Sequence, residues 1–232
     1  MNSLDDFIKD IMGKKIAVVG VGASNTPLIK YLAKLGADVT ACDKKKINEL
    51  GNTYNELNNM GVKFILGEEY LTELTGYDII FRTPGMRPDI PEFLAASRNG
   101  AVITSEMEEF FKLCPARIIG ITGSDGKTTT TTLIYLMLSR QGYNCWLGGN
   151  IGNPLFDKLE HVKESDMVVV ELSSFQLQTM KKSPDRAVIT NITPNHMDVH
   201  KDMNEYIKAK MNIYLYQDQR GRLVINYDNG IT

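Results

Sequence analysis

Short apolar runs rich in Val and Ile punctuate the chain, separated by longer segments of mixed polarity. The first five are Lys15–Gly20, Asp38–Asp43, Val62–Leu66, Asp78–Phe81 and Ala101–Thr104. Most are joined by stretches of helical length, such as Pro27–Leu35 and Pro91–Arg98. This alternation predicts a parallel sheet with helices packed on its faces. The rhythm restarts at Arg117–Thr122, which runs into a glycine loop. A helix is predicted from about Lys127 to Gln141. Strands are predicted near Tyr143–Leu147, at Asp166–Glu171 and at Arg186–Thr190. A charged helix over about Met203–Gln217 and a strand at Gly221–Asn226 complete the pattern. Pro115, in Cys114-Pro115-Ala116, breaks the preceding helix and marks a boundary between two domains, 1–114 and 115–232. The second stops at Thr232 inside its β–α rhythm, so it is expected to be incomplete.

Composition narrows the class. With 43% hydrophobic and 23% charged residues in 232, the chain has enough apolar material for packed cores. The net charge of -2 and the lack of a long basic run argue against nucleic-acid binding. Cys42, Cys114 and Cys145 are scattered and form no CxxC pair, which excludes a zinc or redox motif and suits a reducing cytoplasm. The N-terminus is polar and acidic, unlike a signal peptide, and no apolar run reaches membrane-spanning length.

The strongest chemical signal is Gly123-Ser124-Asp125-Gly126-Lys127-Thr128-Thr129, between a predicted strand and a predicted helix. Gly123 and Gly126 let backbone amides turn toward phosphate oxygens, and the helix N-terminus adds partial positive charge. Lys127 suits the β- and γ-phosphates of ATP, and the Thr128 hydroxyl suits Mg²⁺. Ile121 stands where the longer Walker pattern has glycine, so this is the shorter GxxGKT form. The fold class expected is therefore α/β, a Rossmann-like N-terminal domain followed by a P-loop-type parallel-sheet ATPase domain.

Other candidates are weaker alone. Gly20-Val21-Gly22-Ala23-Ser24-Asn25 is close to a dinucleotide fingerprint, with Asn25 in place of the third glycine. Asp43 ends the next strand, where a ribose hydroxyl could bond it, so NAD is a live reading of this piece. Glu171, at the carboxyl end of a strand beside the phosphate loop, suits Mg²⁺. Asn195-His196-Met197-Asp198 follows another strand, and His196 suits a metal or a phosphate oxygen. Tyr206, Lys210 and Tyr214 recur on one predicted helix face. His161 and His200 have no motif around them and are expected at the surface.

Together, the glycine loop, Glu171-Leu172-Ser173-Ser174-Phe175-Gln176-Leu177, Asn195-His196-Met197-Asp198 and Tyr206-x-x-Ala209-Lys210 resemble the Mur ligase family of bacterial cell-wall synthesis. Gly148–Leu155, Thr83-Pro84-Gly85-Met86 and Ser105–Glu108 are similar to the branch that adds D-glutamate. The resemblance implies an ATP- and Mg²⁺-dependent ligase acting on UDP-N-acetylmuramoyl-L-alanine and D-glutamate through an acyl phosphate, as a cytoplasmic monomer. It implies phosphate contact by Lys127, a first Mg²⁺ on Thr128 and Glu171, and a second placed by His196. It makes Lys210 the family's carbamylated lysine. It puts Asn150, Ser173 and His196 near the muramoyl substrate and Ala23, Ser24, Asp43 and Gly85 at the UDP moiety. Asp125 departs from the family's usual Asn and sets an extra carboxylate beside the triphosphate. The family's third domain lies beyond Thr232, so this polypeptide alone is expected not to complete the cycle. A non-catalytic nucleotide-binding module and a related amide ligase are the competing readings.

Overall fold

The computed structural model describes residues 3–195 and 197–232, which form two compact units, 1–109 and 110–232. The first begins with helix α1 (Leu4–Ile11), started by a reciprocal cap in which Ser3 Oγ accepts from the Asp6 amide and the Asp6 carboxylate from the Ser3 amide. Strand β1 (Lys15–Val19) follows, then α2 (Asn25–Lys34), β2 (Asp38–Asp43), α3 (Ile47–Leu50), α4 (Asn52–Asn59), β3 (Lys63–Leu66), β4 (Ile79–Phe81), α5 (Pro91–Arg98) and β5 (Val102–Thr104). The boundary between the units falls within α6 (Glu106–Leu113).

The first sheet is wholly parallel, in the order β3-β2-β1-β4-β5. Strand order reverses between β1 and β4, which opens a crevice at their carboxyl ends. Ala17, Val19, Cys42, Ile80, Phe93 and Ala96 fill the core behind it. Asn25, in the place of a third glycine, is 1% exposed and its Nδ2 donates to the Val19 carbonyl at 3.0 Å. The amide thus fastens α2 onto β1, where a glycine would only have allowed close approach.

The second unit holds β6 (Arg117–Thr122), α7 (Lys127–Arg140), β7 (Cys145–Gly149), β8 (Met167–Glu171), α8 (Ser174–Leu177), β9 (Arg186–Ile189), α9 (Met203–Met211) and β10 (Arg222–Ile225). Its sheet, also parallel, runs β10-β9-β6-β8-β7. The fully buried Val168, Val169 and Val170 make β8 a central strand. Among the described residues, no helix is long and apolar enough to cross a membrane.

Two predicted elements move, for tertiary reasons. The strand expected at 143–147 lies at Cys145–Gly149, because its partners on β8 run from Met167 to Glu171. The helix expected to reach Gln217 ends at Met211. Asn212 Nδ2 donates to the Leu177 carbonyl at 2.9 Å, and the Asn212 carbonyl accepts from Ser183 Oγ at 2.8 Å. These bonds to other elements turn the chain there, so Tyr214 lies beyond the helix that carries Tyr206 and Lys210.

Arg82 is the largest buried side chain, at 1% exposure. Its Nη1 donates to the carbonyls of Pro84 and Met86, both at 3.1 Å, and so braces the turn after β4. Removing one partner from buried polar groups costs about 1–3 kcal/mol each. Arg82→Met should therefore destabilise the first unit by about 2–4 kcal/mol in denaturant unfolding. A loss within 0.5 kcal/mol would mean that the turn holds itself.

Candidate functional site

The first unit carries a cavity of about 370 Å³ at the strand-order reversal. Gly20, Val21 and Gly22 after β1, Asp43, Lys44 and Lys45 after β2, Tyr70, and Thr83, Gly85 and Met86 after β4 line it. Gly20 has a φ of +96°, and a Cβ there would meet Thr83 Cβ at 3.1 Å, so this turn needs glycine. Asp43 is buried, with Oδ2 accepting the Val21 amide at 2.6 Å and Oδ1 accepting the Lys45 amide at 2.9 Å. Both carboxylate oxygens hold the cavity's own backbone. Ala23 and Ser24 lie exposed at the start of α2, outside the lining.

In the second unit, the glycine loop joins β6 to α7 with Gly126 left-handed at φ +75°. Each loop carbonyl has a donor. Lys210 Nζ bonds Gly123 O at 2.8 Å, Lys127 Nζ bonds Ser124 O at 2.9 Å, and Thr190 Oγ1 bonds Asp125 O at 2.6 Å. Asn191 takes two loop amides, Ser124 N on its carbonyl at 2.9 Å and Asp125 N on Oδ1 at 3.0 Å. The amides of 126–129 belong to the first turn of α7, which has no intrahelical acceptors for them. Donors so placed, with the positive end of the helix dipole behind them, suit an anion such as phosphate. The exposed Asp125 is held through its backbone, not through its carboxylate.

Beside Lys127, Thr128 Oγ1 bonds Glu171 Oε2 at 2.6 Å and Asn150 Nδ2 bonds Glu171 Oε1 at 2.8 Å. Glycines bring Asn150 there. A Cβ on Gly149, whose φ is +90°, would fall 2.2 Å from the Glu171 carbonyl oxygen. A hydroxyl and a carboxylate are hard oxygen donors, few enough for an ion that keeps water and phosphate in its shell. They fit Mg²⁺. Among the described residues, no cluster of three or more His, Cys, Asp or Glu forms a metal cage. Ser173 caps α8 through Gln176, its Oγ accepting the Gln176 amide at 3.2 Å. His196 lies outside the described residues.

Lys210 is 1% exposed, bonded to Gly123 O and to Thr122 Oγ1 at 3.2 Å, with its ammonium 4.7 Å above the Tyr206 ring. Burial pushes its pKa down to about 7, the charge of Lys127 adds to the fall, and Glu171 opposes it. His200, expected at the surface, is instead buried at 3% exposure. It stacks on Phe175 at 5.1 Å and bonds Ser174 Oγ at 2.9 Å through Nε2. Two bulky aromatic neighbours, Phe175 and Tyr206, enclose a residue that the surrounding sequence does not mark as apolar. Arg82 and the Thr190–Asn191 clamp escaped the sequence reading too. The position of Thr190 and Asn191, just past a strand next to β6, was the signal that could have found the clamp.

A family model of the Mur ligase middle domain matches residues 121–232, and one of the MurD-like N-terminal domain matches 14–105. The chain belongs to the Mur ligase family. It is 62% identical over 229 residues to the UDP-N-acetylmuramoylalanine–D-glutamate ligase of Acetivibrio thermocellus, covering 99% of this chain and 49% of that protein. The corresponding ligase of Ruminiclostridium cellulolyticum is 58% identical over 231 residues, covering 100% and 50%. The chain thus spans about half the length of the curated relatives it matches. Solved Mur ligases share its fold. The UDP-N-acetylmuramate:L-alanyl-gamma-D-glutamyl-meso-diaminopimelate ligase of Neisseria meningitides has a TM-score of 0.61 at 17% identity, covering 94% of this chain and 72% of that one. The UDP-N-acetylmuramate–alanine ligase MurC of Thermotoga maritima has a TM-score of 0.55 at 23% identity, covering 94% and 50%. The expected α/β class stands, with two five-stranded parallel sheets of this Mur ligase type.

The depressed lysine has a measurable consequence. Unfolded, Lys210 holds its proton up to about pH 10.4; folded, only up to about 7. Between those values the unfolded chain binds the extra proton, so stability rises with pH across that window, and the penalty is full below it. In CO₂-free buffer, the unfolding midpoint of the wild-type chain should climb relative to Lys210→Met from pH 7 to pH 9. A difference independent of pH would contradict the buried-amine assignment. Separately, Gly149→Ala should cost about 2–4 kcal/mol of unfolding free energy by strain and clash, with an unchanged midpoint counting against the close approach to β8.

Proposed function

We propose that a protein containing these two units is an ATP-dependent carbon–nitrogen ligase joining D-glutamate to UDP-N-acetylmuramoyl-L-alanine in peptidoglycan synthesis. The observation that carries the reaction class is the Lys127 loop opening onto the Thr128–Glu171–Asn150 chain of hydrogen bonds. The substrates follow from the activity of the ligases that are 58–62% identical. The NAD reading of the Gly20 turn weakens, because residues 14–105 match the MurD-like N-terminal domain.

The chemical problem is electrostatic. The alanyl carboxylate must approach the γ-phosphate of a polyanion, displace ADP and leave as an acyl phosphate. The D-glutamate amine then attacks the acyl carbon, phosphate departs, and an amide remains. Open amides at 126–129 and the ammonium of Lys127 offset the negative charge at the phosphates. Lys127 leaves the Ser124 carbonyl to do this, exchanging one oxygen partner for another. Thr128 and Glu171 would hold the first magnesium ion, with His196 and Lys210 toward a second. The ions, when bound, supply positive charge that lowers the repulsion between carboxylate and phosphate.

Lys210, its pKa lowered to about 7 by burial, is present as cation and as free amine in comparable amounts in neutral solution. The free amine is the form that adds CO₂, and the resulting carbamate would turn a cation into an oxygen ligand. Gly85 and Asp43, and Ala23 and Ser24 at the start of α2, serve the UDP moiety. Asn150 and Ser173 serve the muramoyl end. The enzyme works as a monomer in the cytoplasm, on small molecules rather than nucleic acid or membrane.

Calorimetry tests the assignment. UDP-N-acetylmuramoyl-L-alanine should bind, UDP more weakly, and NAD with no detectable heat. A heat of NAD binding, or none for either UDP compound, would overturn the substrate assignment. Lys127→Ala should weaken Mg·ATP binding by about tenfold or more, from the loss of a charge-assisted bond, while leaving UDP-ligand binding unchanged. Equal Mg·ATP affinity in the variant would remove Lys127 from the phosphate site.

A further inference from the structure

Helix α9 grips the phosphate loop at two points one helical turn apart. Lys210 holds the Gly123 carbonyl, and the Tyr206 hydroxyl lies 2.9 Å from Ser124 Oγ. Tyr206 is 1% exposed. Its ring is already seated, with His200 edge-on at 5.3 Å and the Lys210 ammonium over its face. Packing alone would be served by phenylalanine, since a buried hydroxyl is costly unless it is paired.

The direction of the bond follows from counting protons. Ser124 Oγ donates to the Thr193 carbonyl at 2.8 Å and accepts from the Thr193 amide at 2.9 Å. A serine hydroxyl has one proton and two acceptor sites. With its proton on Thr193, Ser124 can only accept from Tyr206. The order is Tyr206 O–H to Ser124 Oγ, then Ser124 O–H to Thr193 O, and Ser124 has no capacity left. The side chain that follows Gly123 in the loop is thereby fixed from two directions.

We propose that Tyr206 is a positioning residue for nucleotide binding: its hydroxyl locks Ser124 and so presets the loop that presents the amides of 126–129. The inference rests on the reading that this loop takes nucleotide phosphates. It assigns Tyr206 no contact with substrate and no proton transfer.

Tyr206→Phe keeps the ring and deletes the hydroxyl. Calorimetry with Mg·ATP and Mg·ADP should show affinity about three- to tenfold weaker, the effect of one hydrogen bond. Hydrogen exchange of the peptide covering residues 123–129 should quicken, while exchange in the first unit stays as in wild type. Ser124→Ala should lose at least as much, since it also removes both bonds to Thr193, and the double variant should be no worse than Ser124→Ala alone, because the Tyr206 bond is already absent there. A role limited to ring packing would leave exchange and affinity at wild-type values in Tyr206→Phe, and that result overturns the proposal, as would losses that add in the double variant. If the wild-type chain binds neither nucleotide, the phosphate reading fails on its own. Faster loop exchange in Tyr206→Phe would still support the lock, and unaltered exchange would refute it. Should Tyr206→Phe not fold, exchange in Ser124→Ala decides the matter by the same criterion.

Discussion

A phosphate-binding loop must offer backbone amides, and a backbone made flexible by glycine does not hold them in place. The structure meets that constraint by giving the carbonyls of Gly123, Ser124 and Asp125 side-chain donors. Lys210 holds Gly123, Lys127 holds Ser124, and Thr190 with Asn191 holds Asp125. Because each trans peptide carries its N–H opposite its C=O, fixing the carbonyls also fixes where the amides point. The donors come from α7, α9 and the segment after β9, so three stretches distant from one another in sequence shape the loop.

The same device recurs in the first unit with buried charge. Asp43 accepts two backbone amides, and Arg82 donates to the carbonyls of Pro84 and Met86. Each fixes peptide groups, and those peptides line the cavity. Burying a charge is expensive, and here the cost is offset by bonds to backbone that lies past the ends of strands and has no ladder partner.

Within the ATP-type site, Lys127 and Lys210 lie close enough for one charge to depress the pKa of the other, and Glu171 partly relieves this. Lys210 therefore rests between cation and free amine. That poise comes first from desolvation, since the helix carrying it packs against the loop. In the pairing of Thr128 with Glu171, a hydroxyl proton satisfies one oxygen of the carboxylate.

Local chemistry determined much from the chain alone. Apolar runs set both parallel sheets, because a strand covered by helices must be apolar throughout. The loop from Gly123 to Thr129 and the strand-end Glu171 were legible because strand, turn and helix start are neighbours in sequence. Tertiary structure decided the rest. Helix α9 ends at Met211 because Asn212 finds partners on Leu177 and Ser183, and no propensity carries that information. His200 is buried, although Asp198, Lys201 and Asp202 lie close to it in sequence, because Phe175 and Tyr206 close over it. Arg82 and the Tyr206–Ser124 lock were invisible for the same reason: a hydrogen bond between distant residues depends on where the fold brings them, and nothing in either residue's own sequence neighbourhood records the partner.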